Sequence, residues 1–315
     1  MPGSVTSVFG EPEDFQAALR EEGVLGMLIT GRGRFRARLT QITLHRLRLS
    51  AAEEHLPRIV FVAVPADSVV VLLPIGGVPS SIWGGIAMQV HEIITLGPGQ
   101  RVHARTDGPC RWGTIRLPAQ DLAGYGRALR GAGFVVPQFV ARWQSPPAAR
   151  RELRHLHQVA IRAAEARSTA FTDGEAVHGL EQQLIEALVE CLSAGPIEVK
   201  VSAHWHREIL ARFEGLLQMQ PVLRVAEICA ALGVTDRTLR RCCEEHLGMS
   251  PSSYLRLHRM QQVQRALHSG NSDAATVAEV ARRYGVRHLG RFAAGYYALY
   301  GELPSATLRR AHLEA

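Results

Sequence analysis

The chain has 315 residues, 46% of them hydrophobic, with a formal net charge of +7 and a pI near 9.6. That length suits two domains with ordinary cores. The most apolar region, 59–78, is interrupted by Pro65, Asp67 and Pro74, which excludes a membrane helix there, and residues 1–15 lack the basic and apolar runs of a signal peptide. Five cysteines without C-x-x-C spacing fit a reducing cytoplasm, where the chain is expected to reside. Lys200 is the sole lysine, so the positive charge is almost all guanidinium, a usage read as composition bias.

Along the chain, apolar residues alternate with arginines from Phe35 to Leu49, and strand-like runs follow at Ile59–Val64, Val69–Leu73, Met88–Leu96 and Trp112–Leu117. Glycine and proline punctuate them at 76–77, 84–85, 97–99 and 108–109. Short strands with such turns predict an antiparallel sandwich or small barrel over residues 1–147, and a barrel of that size can hold one small ligand. Its histidines, His45, His55, His91 and His103, are scattered singly; His91 beside Glu92 comes nearest to a metal pair, and no metal site is expected.

Gln144 to Pro147 closes the β region, and a helical segment fills 148–200. Leu153, Leu156, Ala160 and Ala163 form one stripe, and Leu180, Leu184, Leu188 and Leu192 form a second at every fourth residue. Such a stripe serves equally as core or as a dimer interface. His155 with His157, and His204 with His206, lie at i, i+2 and so face opposite sides of a helix, which suits solvent or packing roles. Gly195 and Pro196 predict a hinge before the segment 201–315. No G-x-S-x-G, phosphate loop or H-E-x-x-H occurs, so no catalytic residue, enzyme activity or cofactor is expected.

The last third states one helical unit twice, at 225–252 and 277–305. Gly233 pairs with Gly285 at an offset of 52, while Leu239 with Phe292, Gly248 with Gly301 and Pro251 with Pro304 pair at 53, so the second copy carries one extra residue after its turn. Each unit reads as apolar helix, glycine turn, second helix and a G-x-x-P-S stop, the sequence form of a helix-turn-helix. Ile228, Cys229, Leu232, Val234 and Leu239 supply the crossing in the first copy, and Val280, Ala281, Tyr284, Val286 and Phe292 in the second. Thr235 is placed to cap the first recognition helix.

The exposed sets differ. Thr235, Arg237, Thr238, Arg240 and Arg241 in the first unit are donors suited to guanine edges and phosphates. The second offers Arg287, His288 and Arg291, with Gly290 inside the helix and no capping side chain at Arg287, which predicts a weaker, more permissive reader. Between the units Tyr254, Leu257, Met260, Val263 and Leu267 predict a helix over about 253–267, closed by the residues 269–272 (SGNS). Such a spacer holds two readers about one DNA turn apart, roughly 34 Å. From 220 to 315 there are 13 Arg against 8 Asp plus Glu, or +5. Adjacent Cys242 and Cys243 invite a redox reading, but their place in the reader favours core.

Residues 205–312 resemble the DNA-binding domain of the AraC/XylS class of bacterial transcription regulators: 251–260 (PSSYLRLHRM) is similar to the family's linker helix and 296–305 (YYALYGELPS) to its C-terminal signature. The wording GVRHLGRFA at 285–293 is similar to the ethanolamine-utilisation regulator subgroup. Cys229, Cys243, Tyr296 and Tyr300 depart from the family's usual Ala and Phe, which bears on packing. The resemblance implies an α+β chain with a cupin-like β-barrel or sandwich, a helical linker and a C-terminal all-α domain with two helix-turn-helix units. It implies promoter DNA, RNA polymerase, an unidentified small-molecule effector and a second copy of the chain as partners. The resulting expectation is an activator that senses a small molecule. Two alternatives stay open: an orphan repressor or architectural protein whose β-domain only dimerises, and an enzyme with an appended DNA-binding module.

Overall fold

Period-two alternation drives the first half of the chain into strands, and the order of elements follows the punctuation. A computed structural model describes all residues except Met1, 76–80, 167–173, 198–200, 221, 269–275 and Ala315. The elements are β1 (Gly3–Phe9), α1 (Pro12–Ala18), β2 (Val24–Ile29), β3 (Ala37–Thr43), β4 (Arg48–Glu54), β5 (Arg58–Ala63), β6 (Ser68–Pro74), β7 (Ser81–Trp83), β8 (Ile86–Ala87), β9 (Ile93–Leu96), β10 (Arg101–Thr106), β11 (Cys110–Pro118), α2 (Ala119–Arg130) and β12 (Ala141–Trp143). There follow α3 (Pro147–Glu165), α4 (Gly174–Leu192), β13 (Pro196–Ile197), α5 (Val201–Met219), α6 (Val225–Leu232), α7 (Asp236–Leu247), α8 (Pro251–His268), α9 (Val277–Arg283), α10 (Leu289–Tyr300) and α11 (Pro304–Glu314).

The strands form two antiparallel sheets, one in the order β1-β3-β4-β11-β6-β9-β12-β13 and one in the order β2-β5-β10-β7-β8. Leu39, Val70, Leu72 and Ile94 of the first sheet meet Met27, Val60, Val62 and Val102 of the second in one core. The opposite face of the first sheet, with Ile42, Leu49, Val69, Val71 and Ile115, is covered by α3 and α4. Leu28 and Ile59, on the far face of the second sheet, join α5 through Ile209, Leu210, Phe213 and Leu217. The layers therefore run helices, sheet, sheet, helices. A strand buried on both faces loses its alternation, which explains the unbroken apolar run in β6, where every residue is buried.

Neither sheet closes on itself, so the barrel expectation gives way to the sandwich. Strand β9 occupies only the end of the 88–96 run, and β1, β2, β10 and α2 had no predicted counterpart. The Gly195–Pro196 segment is no free hinge: Gly195 turns at φ +81 and Pro196–Ile197 pair with Arg142 and Trp143. The 76–77 turn and the 269–272 stop lie outside the described residues. The second leucine stripe is interior: Leu184, Leu188 and Leu192 are at most 2% exposed, packed with α3 and the first sheet. That correction removes it as a dimer face, because covering a sheet within the chain and covering a partner helix call for the same pattern. Among the described residues no helix is long and apolar enough to cross a membrane.

Helix α8 spans both C-terminal cores. Tyr254 and Leu255 belong to the core of α5, α6 and α7, while Met260, Val263 and Leu267 belong to that of α9 and α10. Its 18 residues extend about 27 Å at 1.5 Å per residue. The side facing the β-half is fastened by Gln261 Nε2 donating to the Met27 carbonyl at 2.6 Å and Arg265 donating to Gln16 Oε1 at 2.6 Å.

Candidate nucleic-acid interface

The first unit is assembled as its sequence requires. Helix α6 stops at Gly233, whose φ of +69 lies in the left-handed region that glycine enters without cost. Thr235 then caps α7, its hydroxyl accepting from the Thr238 N–H at 3.2 Å and lying 2.9 Å from the Thr238 hydroxyl. One side of α7, with Leu239, Cys242, Cys243 and Leu247, is fully buried. The other exposes Arg237, Arg240 and Arg241, with Thr238 half-buried. Arg241 Nε donates to Glu245 Oε1 at 2.9 Å. Burial raises the Glu245 carboxyl, but the hydrogen bonds from Arg241 and His206 outweigh it and hold the group below its ordinary range. An exposed pair of this kind is screened by solvent and weak, so Arg241 is readily released.

The second unit repeats the plan with one residue more between glycine and helix: α7 begins three residues after Gly233, α10 four after Gly285. Thr276 and Glu279 form a reciprocal capping box on α9. Gly285 turns at φ +76, and a Cβ there would stand 2.7 Å from Val222 Cγ1. The residue before α10 is His288, at φ −116 with no side-chain cap. Arg287, His288, Gly290 and Arg291 are exposed.

Arg287, His288 and Arg291 line a cleft of about 740 Å³ together with Arg224, Arg256 and Arg259, closed on one side by Thr30 and Arg32 of the β-half. Arg259 is anchored, donating to the Leu223 carbonyl at 2.6 Å, and burial followed by repulsion from Arg287 holds its pKa below the ordinary value. So many cations on one concave wall form a strong anion-attracting surface. The sequence reading missed Arg32, Arg224, Arg256 and Arg259, which come from three separate segments. Only the i, i+3 spacing of Arg256 and Arg259 on the spacer helix offered a signal.

The departures from the family pattern are accommodated. Tyr296 is fully buried and its hydroxyl lies 2.8 Å from Thr307 Oγ1. Cys229 and Cys243 are buried, and Cys242 beside them is buried with its thiol pushed up to about 12 by burial, which makes it a poor nucleophile. In the β-half, among the described residues, a space lined by Arg58, Trp83, Met88, Thr106, Cys110 and Trp112 holds about 10 Å³, room for about one water. A larger cleft of about 390 Å³ lies outside the sandwich, between α3 and the first sheet, lined by Arg38, Glu53, Arg111, Trp112, His157 and Arg162 among others. His91 is exposed, 4.0 Å from a Glu92 that Arg142 also approaches at 3.5 Å.

Residues 228–310 match a family described as a helix-turn-helix domain. The chain is 35% identical over 91 residues to the XylDLEGF operon transcriptional activator of Pseudomonas putida, covering 29% of this chain and 27% of that protein. It is 36% identical over 90 residues to the probable thc operon regulatory protein of Rhodococcus erythropolis, again covering 29% and 27%. These matches span about a quarter of each relative's length. Among solved structures, the AraC-like transcriptional activator CuxR aligns over 89% of this chain and all of its own, at 15% identity and a TM-score of 0.46. None of these relatives lends support to the ethanolamine-utilisation subgroup. Over its tandem helix-turn-helix segment, residues 228–310, the chain is thus similar to these transcription regulators.

Proposed function

We propose that the chain is a cytoplasmic, sequence-specific transcription regulator that docks α7 and α10 on double-stranded promoter DNA. The observation that carries this reading is α7 itself, a capped helix with a fully buried back and three exposed arginines on its other side. Arg237, Arg240 and Arg241, with Thr235 and Thr238, are the base and phosphate donors of the first reader. Arg287, His288 and Arg291 serve the second, assisted by Arg224, Arg256 and Arg259. Activation, with RNA polymerase as partner, is favoured by the activator role of the Pseudomonas putida relative. Dimerisation belongs to the reading as well, through a surface other than the leucine stripe.

For a small-molecule effector, the polar cleft of about 390 Å³ beneath α3 is the candidate in the β-half. The apolar core shared by the two sheets favours a second reading, in which the β-half positions the readers without an organic ligand. Selection of binding sites from random duplexes with the full chain, followed by footprinting, tests the main reading. Two protected segments about one helical turn apart are expected; uniform binding to all duplexes would reject sequence-specific recognition.

A further inference from the structure

The junction of α5, the end of α7 and the β7–β8 turn holds a group of side chains that DNA reading leaves unused. His206 Nδ1 lies 2.6 Å from Glu245 Oε2, and one ligand atom each from His206, Glu245 and His246 all fall within 4.8 Å of one another. The two imidazoles are 4% and 1% exposed, whereas the Glu245 side chain is 41% exposed. The group is therefore two buried imidazoles beside a half-exposed carboxylate.

His246 is the decisive member. It is buried, and neither ring nitrogen has a hydrogen-bond partner, a state that buried polar groups in native folds rarely tolerate. The backbone of Gly85, at φ +81, lies directly on the ring, so close that a Cβ there would stand 2.7 Å from His246 Cε1. Both ring nitrogens therefore keep a lone pair or proton that no protein group uses. Arg207, donating to the Gly84 carbonyl at 3.2 Å, opposes a cation here, and the Glu245 carboxylate offsets it. Two imidazole nitrogens and one carboxylate oxygen make up the donor set. Two histidines, one glutamate and an open fourth position suit a tetrahedral, borderline-soft ion.

We propose that His206, His246 and Glu245 bind one divalent transition-metal ion of the zinc class, and that its occupancy is the signal delivered to α7. The second half of the proposal rests on the DNA-binding reading above. Ligation takes Glu245 Oε2 from His206 and draws the carboxylate away from Arg241, whose Nε it holds at 2.9 Å through Oε1. The freed guanidinium is then available to DNA, and the ion ties α5 to α7.

The test is titration of the full chain, stripped by a chelator, with Co²⁺ under visible absorption and then with Zn²⁺ in competition. The expected result is one Co²⁺ per chain, with tetrahedral ligand-field bands, no sulfur charge-transfer band, and displacement by Zn²⁺. Outer-shell losses alone cost about 10–100-fold in metal affinity, so His206→Ala and His246→Ala are each expected to lose at least about 100-fold. Glu245→Gln, at the exposed mouth where folding is not at stake, is expected to lose at least about tenfold by the same reasoning. Absence of the bands, a sulfur band, or affinity unchanged in Glu245→Gln overturns the site.

On duplexes selected by the wild-type chain, Zn²⁺ is expected to raise affinity by about two- to fivefold, the scale of releasing one exposed ion pair, and to leave Glu245→Gln unmoved. Metal bound at the triad with DNA affinity unchanged overturns the signalling half. No specific DNA binding under any condition overturns the DNA-binding reading and the signalling half together, while the metal site is decided by the titration.

Discussion

His103 of β10 and Glu214 of α5 meet at 2.9 Å across the junction of the β-half and the first reader, both buried. The same carboxylate oxygen accepts the hydroxyl of Tyr254 on α8, and the His103 ring stacks on Phe61 at 5.0 Å. One oxygen thus registers a strand, the first helix of the reader domain and the spacer helix against each other. Burial alone raises the Glu214 carboxyl, but the hydrogen bond and charge of His103, with the Tyr254 hydroxyl, outweigh it and hold the group below its ordinary value.

A depressed carboxylate contributes stability that is present above its unfolded pKa and lost as pH falls through the folded value. Breaking one partner of a buried pair costs about 3–5 kcal/mol, so Glu214→Ala is expected to destabilise the chain by that order in urea unfolding at pH 7. Hydrogen exchange should quicken in β10, α5 and α8 together. A variant losing less than about 1 kcal/mol, the order of an exposed pair, would show the contact to be incidental.

The first reader should bear most of the sequence discrimination. Arg237→Ala, Arg240→Ala and Arg241→Ala are each expected to cost about 1–3 kcal/mol on a selected site and to relax preference locally. Arg241 should lose least, since its Glu245 pair is given up on binding. Equal losses on selected and random duplexes for all three would reassign them to phosphate contacts.

Base substitutions beneath the second unit should matter less than those beneath the first. Helix α10 lacks a side-chain cap, carries exposed Gly290, and its cations share a cleft with Arg224, Arg256 and Arg259, a geometry suited to backbone attraction rather than base reading. Systematic site mutagenesis read out by affinity checks this, and equal sensitivity under both units would refute it.

What the sequence disclosed depended on whether the signal was local. The paired glycines, the Thr235 cap and the crossings through Leu239 and Phe292 are set by spacings of a few residues, and the structure places them accordingly. The stripe through Leu184 and Leu188 was legible as a helix but not in its target, since leucine spacing is the same against a sheet or a second chain. Closure of the sheets and the meetings of His103 with Glu214 and of His206 with Glu245 join residues far apart in the chain, at separations of 111 and 39 for the two pairs. Neither leaves a periodic trace.

Because Leu184 and Leu188 are fully buried against α3 and the first sheet, Leu184→Ala or Leu188→Ala is expected to cost about 2–5 kcal/mol in unfolding free energy, and aspartate at either place more. Oligomeric state, measured by sedimentation on the fraction that stays folded, should not change. A folded Leu188→Asp chain that shifts from dimer to monomer would restore the stripe as an interface.

His157 gives the fold a defined acid limit. Its ring is fully buried on α3, with Nε2 donating to the carbonyls of Ser50 at 3.2 Å and Thr114 at 3.3 Å, while Nδ1 has no partner. Gly113 leaves space for the ring; a Cβ there would stand 2.7 Å from His157 Cε1. Burial holds the pKa at about 4 against an ordinary 6.5, the carbonyl bonds offsetting it only in part. Between those values the unfolded chain carries a proton that the native ring does not, so stability falls as pH drops from 6.5 towards 4. At about 1.4 kcal/mol per unit, the window amounts to about 3 kcal/mol. Urea unfolding at pH 7 and pH 5 should show His157→Gln, which keeps a donor for the two carbonyls, losing about 2 kcal/mol less than the parent over that interval. Identical losses in both chains would mean that the native ring takes up its proton as readily as the unfolded one.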